Sequence, residues 1–278
     1  QPPLPASRQL FHTAGFIEHV AILANGRILA ITRSNNSYHL VRIGTGGKTE
    51  EMALFEGAVG YRFAVFGGRY LAINPPQRNQ LLILDVGGDG LQQVSMIETA
   101  VFKDTAVFSA TPQHLYRIAG SWIMRGTVRD GQYLEDPIAT AHKNQTTFRA
   151  SPYNDTIAGY HRIFAEYKFF VQTNQGSFDL PIPTLATGEH IAETGIAFGE
   201  DTVAVVLQIG HKKQFRTDTH IYSLAGKLVN SYTLDSEHLE TIIAQYPLTN
   251  QAIEPGTTAL RHPNGTLLQT LHTIQFSG

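Results

Sequence analysis

The strongest constraint on the fold is a pair of turn series that run along almost the whole chain. The first series separates one apolar segment from the next at Asn25-Gly26, Gly67-Gly68, Thr111-Pro112, Asn154-Asp155, Glu200-Asp201 and Asn264-Gly265. Its successive members lie 42 to 46 residues apart, followed by a final interval of 64. The second series interleaves with the first at Gly46-Gly47, Asp89-Gly90, Asp130-Gly131, Gln175-Gly176 and Ala225-Gly226, with spacings of 41 to 50 residues. Both series therefore mark one repeat of roughly 43 residues.

Short apolar runs such as HVAILANGRILAIT lie between these turns and predict β-strands joined by hairpins. Two turns per repeat divide each unit into four strands, which is the composition of a propeller blade. The sixth unit ends at IQFSG (Ile274–Gly278) after only three strands, whereas RQLFHT (Arg8–Thr13) resembles the fourth strands of the other units. We therefore expect an all-β fold, a six-bladed β-propeller with four antiparallel strands per blade. The N-terminal strand would close the last blade beside Ile274–Phe276 and remove an open sheet edge.

The repeat also predicts the domain organisation. An extended segment at residues 1–7 precedes a single propeller domain at 8–278, with blades at about 14–56, 57–99, 100–140, 141–186, 187–235 and 236–278 plus 8–13. A β-sandwich with chance turn spacing is the alternative, but it does not explain why the two termini complement each other. Ser236 precedes apolar residues at helical spacing in SEHLETIIAQY, which predicts a short helix over one face. The aromatic stretch Tyr160–Phe170 predicts a hairpin whose rings fill the space between blades.

Composition excludes several classes of protein. With 21 Lys and Arg against 23 Asp and Glu, the net charge of −2 argues against nucleic acid as a partner. Cysteine is absent, which excludes a disulfide framework, thiol catalysis and a Cys-ligated metal site. No apolar run is long enough for a membrane span, so no membrane insertion is expected. The Pro-rich start QPPLPAS resembles a processed N-terminus, and we expect an exported, periplasmic or cell-surface monomer.

The turn series also indicates which face of a propeller would carry function. In each blade the tight turns join strands a–b and c–d at one rim, and the b–c and d–a connections lie at the other. Longer connections are expected here at residues 33–38, 74–80, 162–167, 184–193, 210–218 and 235–256. Because loops on a rigid scaffold usually carry binding groups, this long-loop face is the expected functional surface.

Two groups of side chains are expected on the long-loop face. The first residues of the a strands would line the mouth of the central channel: Glu18, His19, Arg62, Lys103, Asp104, Arg149 and Glu193. The b–c loops would add Arg33, Arg78, His161, Arg162, His211, Lys212, Lys213 and Arg216. The charges at the channel mouth either orient an anionic ligand or pair with one another and hold water. The loop cations either steer an anionic partner or form a solvated edge.

Motifs for catalysis are missing from the sequence. It contains no nucleophile elbow, His-Glu-x-x-His pair, phosphate loop or dinucleotide fingerprint. The twelve His residues are scattered, which favours surface or structural roles over zinc binding. No catalytic residue is assigned, and no cofactor is expected.

Three segments have the sequence pattern of a propeller blade and give a family resemblance. The segments FIEHVAILANGRILAITRSNNSYHLVRIGTGGK, FAVFGGRYLAINPPQRNQLLILDVGGDG and HIYSLAGKLVNSYTL resemble units of six-bladed propellers of the TolB-like and NHL-like kind. A weaker likeness extends to the SMP-30/gluconolactonase and strictosidine-synthase families. In the SMP-30-like enzymes a first-blade Glu helps to hold a metal in the channel, and the resemblance transfers that role to Glu18 alone.

These observations lead to one expected function and two alternatives. The expected function is a non-enzymatic propeller that presents its long-loop face to a protein, peptide or glycan. The first alternative is a metal-dependent lactonase or hydrolase that holds Ca²⁺ or another divalent metal through Glu18, with Arg62 and Arg149 orienting an anionic substrate and Asp104 as base. The second alternative is the sensor domain of a larger receptor.

Overall fold

The computed structural model describes residues 8–44, 46–57, 62–75, 80–98, 108–142, 145–164, 166–212, 214–235, 258–262, 265–270 and 272–277. Within these ranges the chain is all β, and its strands form six four-stranded antiparallel sheets. Five of these sheets consist of four consecutive strands, and the sixth combines the last three strands with the first.

The strands have the following bounds in chain order. The first is β1 (Arg8–His12). Sheet I contains β2 (Phe16–Ile22), β3 (Ile28–Ser34), β4 (Ser37–Ile43) and β5 (Thr49–Glu56), and sheet II contains β6 (Arg62–Phe66), β7 (Tyr70–Asn74), β8 (Gln80–Asp85) and β9 (Gln92–Glu98). Sheet III contains β10 (Phe108–Ala110), β11 (Leu115–Ala119), β12 (Trp122–Arg129) and β13 (Gln132–Thr140). Sheet IV contains β14 (Thr146–Ala150), β15 (Ile157–Ile163), β16 (Glu166–Thr173) and β17 (Gly176–Leu180). Sheet V contains β18 (His190–Phe198), β19 (Thr202–His211), β20 (Gln214–Ser223) and β21 (Leu228–Asp235). Sheet VI joins β22 (Thr258–His262), β23 (Gly265–Gln269) and β24 (Thr273–Ser277) to β1.

Sheets I, II and VI belong to one compact unit of the chain. Its largest apolar cluster joins sheet I to sheet II, with Leu40 and Tyr38 packed in one group with Leu71 and Ile73. A second cluster joins sheet I to sheet VI and includes Ile274. Each fully buried aliphatic side chain stabilises the fold by about 1.5–3 kcal/mol, so face-to-face sheet packing is the main source of stability in this unit.

Sheets IV and V, with most of sheet III, form the other compact unit. Its largest cluster packs sheet IV against sheet V, through Phe169 and Val171 on one side and Val205 and Leu207 on the other. Central strands such as β19 are apolar along most of their length because both faces of the strand are covered.

The tight turns of both series lie at the positions that the sequence repeat predicts. Within the described residues, each a–b and c–d turn of the two series lies between the expected strands or at the first residue of the second strand. Asp130-Gly131 is a clear example, since both residues have positive φ and suit a type I′ hairpin. The local turn chemistry therefore predicts these connections correctly, while Asn264 lies outside the described residues.

The b–c connections differ from the expectation of long loops. Ser34 pairs with Ser37, Ile163 with Glu166, and His211 with Gln214, so only two residues link the strands in sheets I, IV and V. The strands continue through the segments that the sequence assigned to loops. The expected long connection between sheets IV and V is present at residues 181–189, between β17 and β18.

The N-terminal strand pairs with the last strand, as the sequence predicts. Residue Arg8 lies opposite Phe276, Gln9 opposite Gln275 and His12 opposite Thr273, in antiparallel register. The backbone N–H of Thr13 extends the contact by donating to the carbonyl of His272 at 3.0 Å. The expected helix after Ser236 lies outside the described residues. In the described ranges, no helix meets the length and hydropathy needed to cross a bilayer.

Candidate partner-binding surface

The predicted site residues in sheet I are engaged with one another. Glu18 occupies a β-bulge in β2, because Ile17 pairs with Thr32 and the next pair is His19 with Ile31. Its carboxylate accepts a hydrogen bond of 2.6 Å from Nε of Arg33. The bulge aims Glu18 at Arg33 across the hairpin, so the two predicted charges neutralise each other.

The neighbouring residues form aromatic contacts. The ring of His19 lies 4.3 Å from that of Phe63, and burial lowers the pKa of His19 although Glu18 acts in the opposite direction. Arg62 begins β6 opposite Asn74 and is exposed.

The metal-ligand role for Glu18 stays a prediction. Lys103, Asp104, Arg78 and Lys213 lie outside the described residues, and no group of three or more His, Asp or Glu within the described part is placed to hold a metal ion.

Two residues expected at strand starts lie elsewhere. Arg149 is the penultimate residue of β14, opposite Ala158 and next to the a–b turn rather than at the opposite end. Glu193 is the fourth residue of β18 and is exposed opposite Gln208. Both strands begin three residues before these positions, because Thr146 and His190 already pair with the neighbouring strand.

The clearest candidate surface is formed by the b–c hairpins of sheets IV and V. We call the described residues 162–164, 166–168, 210–212 and 214–216 the IV–V hairpin surface. Tyr160 and Tyr167 below the first hairpin pack on the same apolar cluster as Ile191 and Ile209 below the second. The two hairpins therefore rise from a common rigid base.

The tip of the sheet IV hairpin exposes an aromatic ring. Phe164 has a φ of +56° and its side chain is 92% exposed. Two-residue hairpins require positive φ, and the equivalent turn of sheet I provides it with Asn35 and Asn36 at +49° and +66°. Asn tolerates this conformation, whereas Phe does so at a cost of about 1 kcal/mol. Folding therefore gives no reason for Phe at this position.

The rest of the sheet IV hairpin is well supported. The guanidinium of Arg162 lies over the ring of Tyr167 at 5.5 Å, and the backbone N–H of Arg162 donates to the carbonyl of Gln145 at 2.7 Å. The ring of Tyr167 lies 5.4 Å from that of Tyr160. These contacts hold the hairpin so that Phe164 projects from a stiff element.

The sheet V hairpin adds a cation and a second aromatic ring. Lys212 has a φ of +55° at the tip and is exposed, and Phe215 is 53% exposed. Gly210 makes room for the rings beside it, since a Cβ there would lie 2.8 Å from His190 and 3.1 Å from Phe215. His211 lies against Gly188 of the 181–189 connection.

Arg216 forms ion pairs within the chain and does not present a free cation. Its guanidinium forms ion pairs with Glu189 and with Asp218, the second at 3.1 Å. The hydrogen bond from Arg216 lowers the pKa of Glu189 to about 2, and the same bond raises the pKa of Arg216. Arg216 therefore fastens the 181–189 connection to β20, and the positive charge of the surface comes from Arg162, Lys168 and Lys212.

His161 is also part of the framework. Its Nδ1 lies 2.8 Å from Oγ1 of Thr146, and its ring stacks on Phe170 at 4.8 Å. Burial, followed by the nearby His142, lowers the pKa of His161. A packed, hydrogen-bonded imidazole of this kind stays neutral and supports the hairpin from below.

Sequence reasoning missed the two exposed rings. The stretch Tyr160–Phe170 was expected to fill inter-blade space, which is correct for Tyr160 and Phe169 but wrong for Phe164. The signal that could have found Phe164 is its position between two strands, where a two-residue turn needs Asn, Asp or Gly.

Comparisons with known proteins concern the fold. No protein-family model and no curated protein sequence matches this chain. Among solved structures, TolB from Acinetobacter baumannii is 13% identical, with 91% of this chain and 64% of TolB covered and a TM-score of 0.41. The WD40 domain of SCAP from fission yeast is 8% identical, with 100% and 75% covered and a TM-score of 0.42. The dihydro-haem d1 dehydrogenase NirN in complex with DHE is 13% identical, with 92% and 51% covered and a TM-score of 0.51.

The chain thus spans less than two thirds of TolB and about half of NirN. At such low identity the likenesses bear on architecture and not on activity. Sheets of four antiparallel strands that follow one another in the chain are the units of β-propellers. The described residues therefore form an all-β fold of propeller-type sheets.

Proposed function

We propose that this protein is a binding module that uses the IV–V hairpin surface to hold a protein partner. In this proposal the six sheets are the blades of a six-bladed propeller, and β1 closes the last blade. The observation that carries the proposal is Phe164, a ring that is 92% exposed at positive φ. A residue kept where it strains the backbone and gains nothing from packing is a candidate for function.

The surroundings of Phe164 suggest the chemistry of the partner. Aromatic side chains at protein interfaces act as anchors that fill apolar pockets on the partner. Arg162, Lys168 and Lys212 give the same surface an excess of positive charge over Glu166. We therefore propose a partner with an apolar pocket surrounded by acidic residues. Export to the periplasm or cell surface, and function without a cofactor, stay predictions.

Replacement of Phe164 by Asn separates binding from folding. Asn suits the positive φ, so F164N should keep or slightly raise the melting temperature, whereas loss of an anchoring ring should weaken partner binding about tenfold or more. The measurement is quantitative capture from host extract by the purified protein. It is followed by calorimetric titration of the captured protein against wild type and F164N.

A matched control and a salt series complete the test. Met96 on β9 is also exposed and apolar, and M96N should leave binding unchanged. Binding to wild type should weaken as salt rises, because the cations steer and hold an acidic surface. If F164N binds the captured protein as tightly as wild type does, the proposed surface is wrong.

A further inference from the structure

Two imidazole rings lie together where the chain passes from sheet III to sheet IV. His142 follows β13 and is exposed, and His161 lies on β15 and is partly buried. Their ring centroids are 4.9 Å apart, with an angle of 79° between the planes. Two imidazoles that bind one tetrahedral metal ion have centroids roughly 5 Å apart, because each nitrogen lies about 2.0–2.1 Å from the metal. The two rings are therefore close enough to share a metal ion.

Hydrogen bonds to Thr146 fix the position of the proton on His161. Oγ1 of Thr146 accepts from the backbone N–H of His142 at 2.8 Å, lies 3.2 Å from the carbonyl of His142 and lies 2.8 Å from Nδ1 of His161. A hydroxyl group has one hydrogen and two acceptor lone pairs. All three contacts are hydrogen bonds only when the hydroxyl donates to the carbonyl and Nδ1 of His161 donates to the hydroxyl. Nε2 of His161 then keeps the lone pair that binds a metal.

The surroundings of His161 resemble those of a metal ligand. A metal-binding His donates its other ring N–H to a second group, which fixes the tautomer and the orientation of the ring. Thr146 is this group for His161. The ring also stacks on Phe170, with centroids 4.8 Å apart and an angle of 18° between the planes. His161 is therefore held in place before any metal binds.

The backbone around His142 is also supported. The N–H of Ala141 donates to the carbonyl of Ser121 at 2.8 Å, and the N–H of Gln145 donates to the carbonyl of His142 at 3.0 Å. The carbonyl of Gln145 accepts from the N–H of Arg162 at 2.7 Å. These bonds keep His142 beside β15, while its exposed side chain can turn toward an ion bound to the neighbouring ring.

The charges near His161 do not oppose a cation. Lys168 lies opposite His161 across β15 and β16, and Asp179 lies opposite Phe170 across β16 and β17. Residues opposite each other, or two apart along a strand, share one face of a sheet, so both charges are on the face that carries His161. Their opposite signs offset each other.

We propose that His142 and His161 form a two-histidine site for a divalent transition metal ion such as Zn²⁺ or Ni²⁺. Imidazole nitrogen is a preferred ligand of these ions, whereas Ca²⁺ and Mg²⁺ prefer oxygen. Two protein ligands leave the other coordination positions to water or to a donor atom of a bound molecule. The site is separate from the channel position of Glu18, and it does not depend on Phe164 as an anchor.

Calorimetric titration with Zn²⁺ alone tests the site, on protein purified without a polyhistidine tag. Wild type should bind one ion with a dissociation constant of about 1–100 μM, because two ligands bind more weakly than the four of a structural zinc site. H142A and H161A should each bind about tenfold more weakly or less. The double variant should bind no more weakly than the weaker single variant, because both residues serve one ion. Ca²⁺ at the same concentrations should give no binding heat.

Thr146 supplies a test that loss of a ligand does not. T146V removes the acceptor for Nδ1 of His161 and should weaken Zn²⁺ binding about tenfold, whereas T146S keeps the hydroxyl and should bind as wild type does. H39A is the matched control, since His39 also lies beside a possible ligand, with its Nδ1 2.7 Å from Glu51. This variant should bind Zn²⁺ as wild type does.

The exposed position of His142 keeps the outcome decisive. Thermal melting shows whether each variant is folded, and H142A should melt as wild type does because its side chain is exposed. Its Zn²⁺ affinity therefore decides the question even where H161A is destabilised. Wild type that binds no Zn²⁺ at concentrations up to about 1 mM, or H142A that binds as tightly as wild type, overturns the proposal.

Discussion

Asp155 shows how one residue joins two sheets. Its carboxylate accepts hydrogen bonds from Oγ1 of Thr111 at 2.8 Å and from the hydroxyl of Tyr116 at 2.9 Å, and it lies 2.9 Å from Nδ1 of His114. All three partners belong to sheet III or its turn, whereas Asp155 belongs to the a–b turn of sheet IV. Burial opposes ionisation of Asp155, but the bonds from His114, Thr111 and Tyr116 together lower its pKa.

Replacement of this carboxylate should give a pH-dependent loss of stability. A lowered folded-state pKa means that the charge stabilises the fold at pH values above about 4, the ordinary Asp pKa, and that this contribution disappears as the pH falls through the lowered value. D155N should therefore cost about 2 kcal/mol at neutral pH and progressively less in acid. Urea unfolding of wild type and variant at several pH values measures the difference.

The exposed Asp136 supplies a control for Asp155. D136N should change the unfolding free energy by less than about 0.5 kcal/mol at neutral pH. A difference between wild type and D155N that grows in acid would contradict the assignment, since the sign of the pKa shift would then be reversed.

Single residues also show why sequence analysis found only part of the candidate site. Arg216 was predicted to face a partner, but its charge is taken up by Glu189, 27 positions away. Whether a cation is free depends on which carboxylate the fold brings to it, and spacing along the chain does not record that. Phe164 was missed for a related reason, since an aromatic ring in an apolar stretch normally indicates burial.

At the level of elements, Arg42 links sheet I to sheet II through hydrogen bonds. This side chain on β4 is 3% exposed and ion-paired with Glu50. It donates to the carbonyls of Val86 at 2.9 Å, Gly88 at 2.6 Å and Asp89 at 3.2 Å. These carbonyls belong to the c–d turn of sheet II, and the buried carbonyl of Val86 gains from Arg42 the hydrogen bond that a buried acceptor needs.

Loss of the Arg42 side chain should strongly destabilise the unit that contains sheets I, II and VI. R42A removes three hydrogen bonds to this turn and the ion pair with Glu50, so we expect a cost of about 3 kcal/mol in unfolding free energy. Arg27 provides a matched comparison because its Nη1 donates to the same carbonyl of Gly88 at 2.7 Å but to no other described carbonyl. R27A should cost about 1 kcal/mol. If R42A and R27A lose the same unfolding free energy in chemical denaturation, the three hydrogen bonds from Arg42 are not what stabilises the contact between sheets I and II.

The same scale explains which elements the sequence predicts. The a–b and c–d turns carry Gly, Asn and Asp, whose backbone preferences are local, and the period of the turns follows from them. The b–c hairpins of sheets IV and V carry Phe and Lys instead, so the local sequence contains no turn signal. The predicted strands therefore ended earlier than the observed strands do. Strand pairing across each sheet imposes the positive φ there and overrides the preference of the residue.

At the scale of the whole molecule, the pairing of β1 with β24 connects the two ends of the described chain. This contact has the largest sequence separation among the described strand pairs, and β1 pairs with no other described strand, whereas β24 also forms a local hairpin with β23. Its formation in the folding chain therefore has the highest loop-closure cost. The sequence predicted this pairing because the last unit lacked one strand, which is a global constraint that a repeat makes visible.

A covalent link at this pairing should stabilise the molecule more than any single side-chain contact. Gln9 lies directly opposite Gln275, and opposed residues of antiparallel strands have the Cα separation that a disulfide needs. The chain contains no cysteine, so Q9C/Q275C forms only the intended bond. Because the bond closes nearly the whole chain, the oxidised variant should gain roughly 3–5 kcal/mol over its reduced form. Urea unfolding with and without dithiothreitol measures this gain, with each single variant as control. If the oxidised and reduced forms unfold alike, the ends of the chain do not constrain the folded state as this pairing requires.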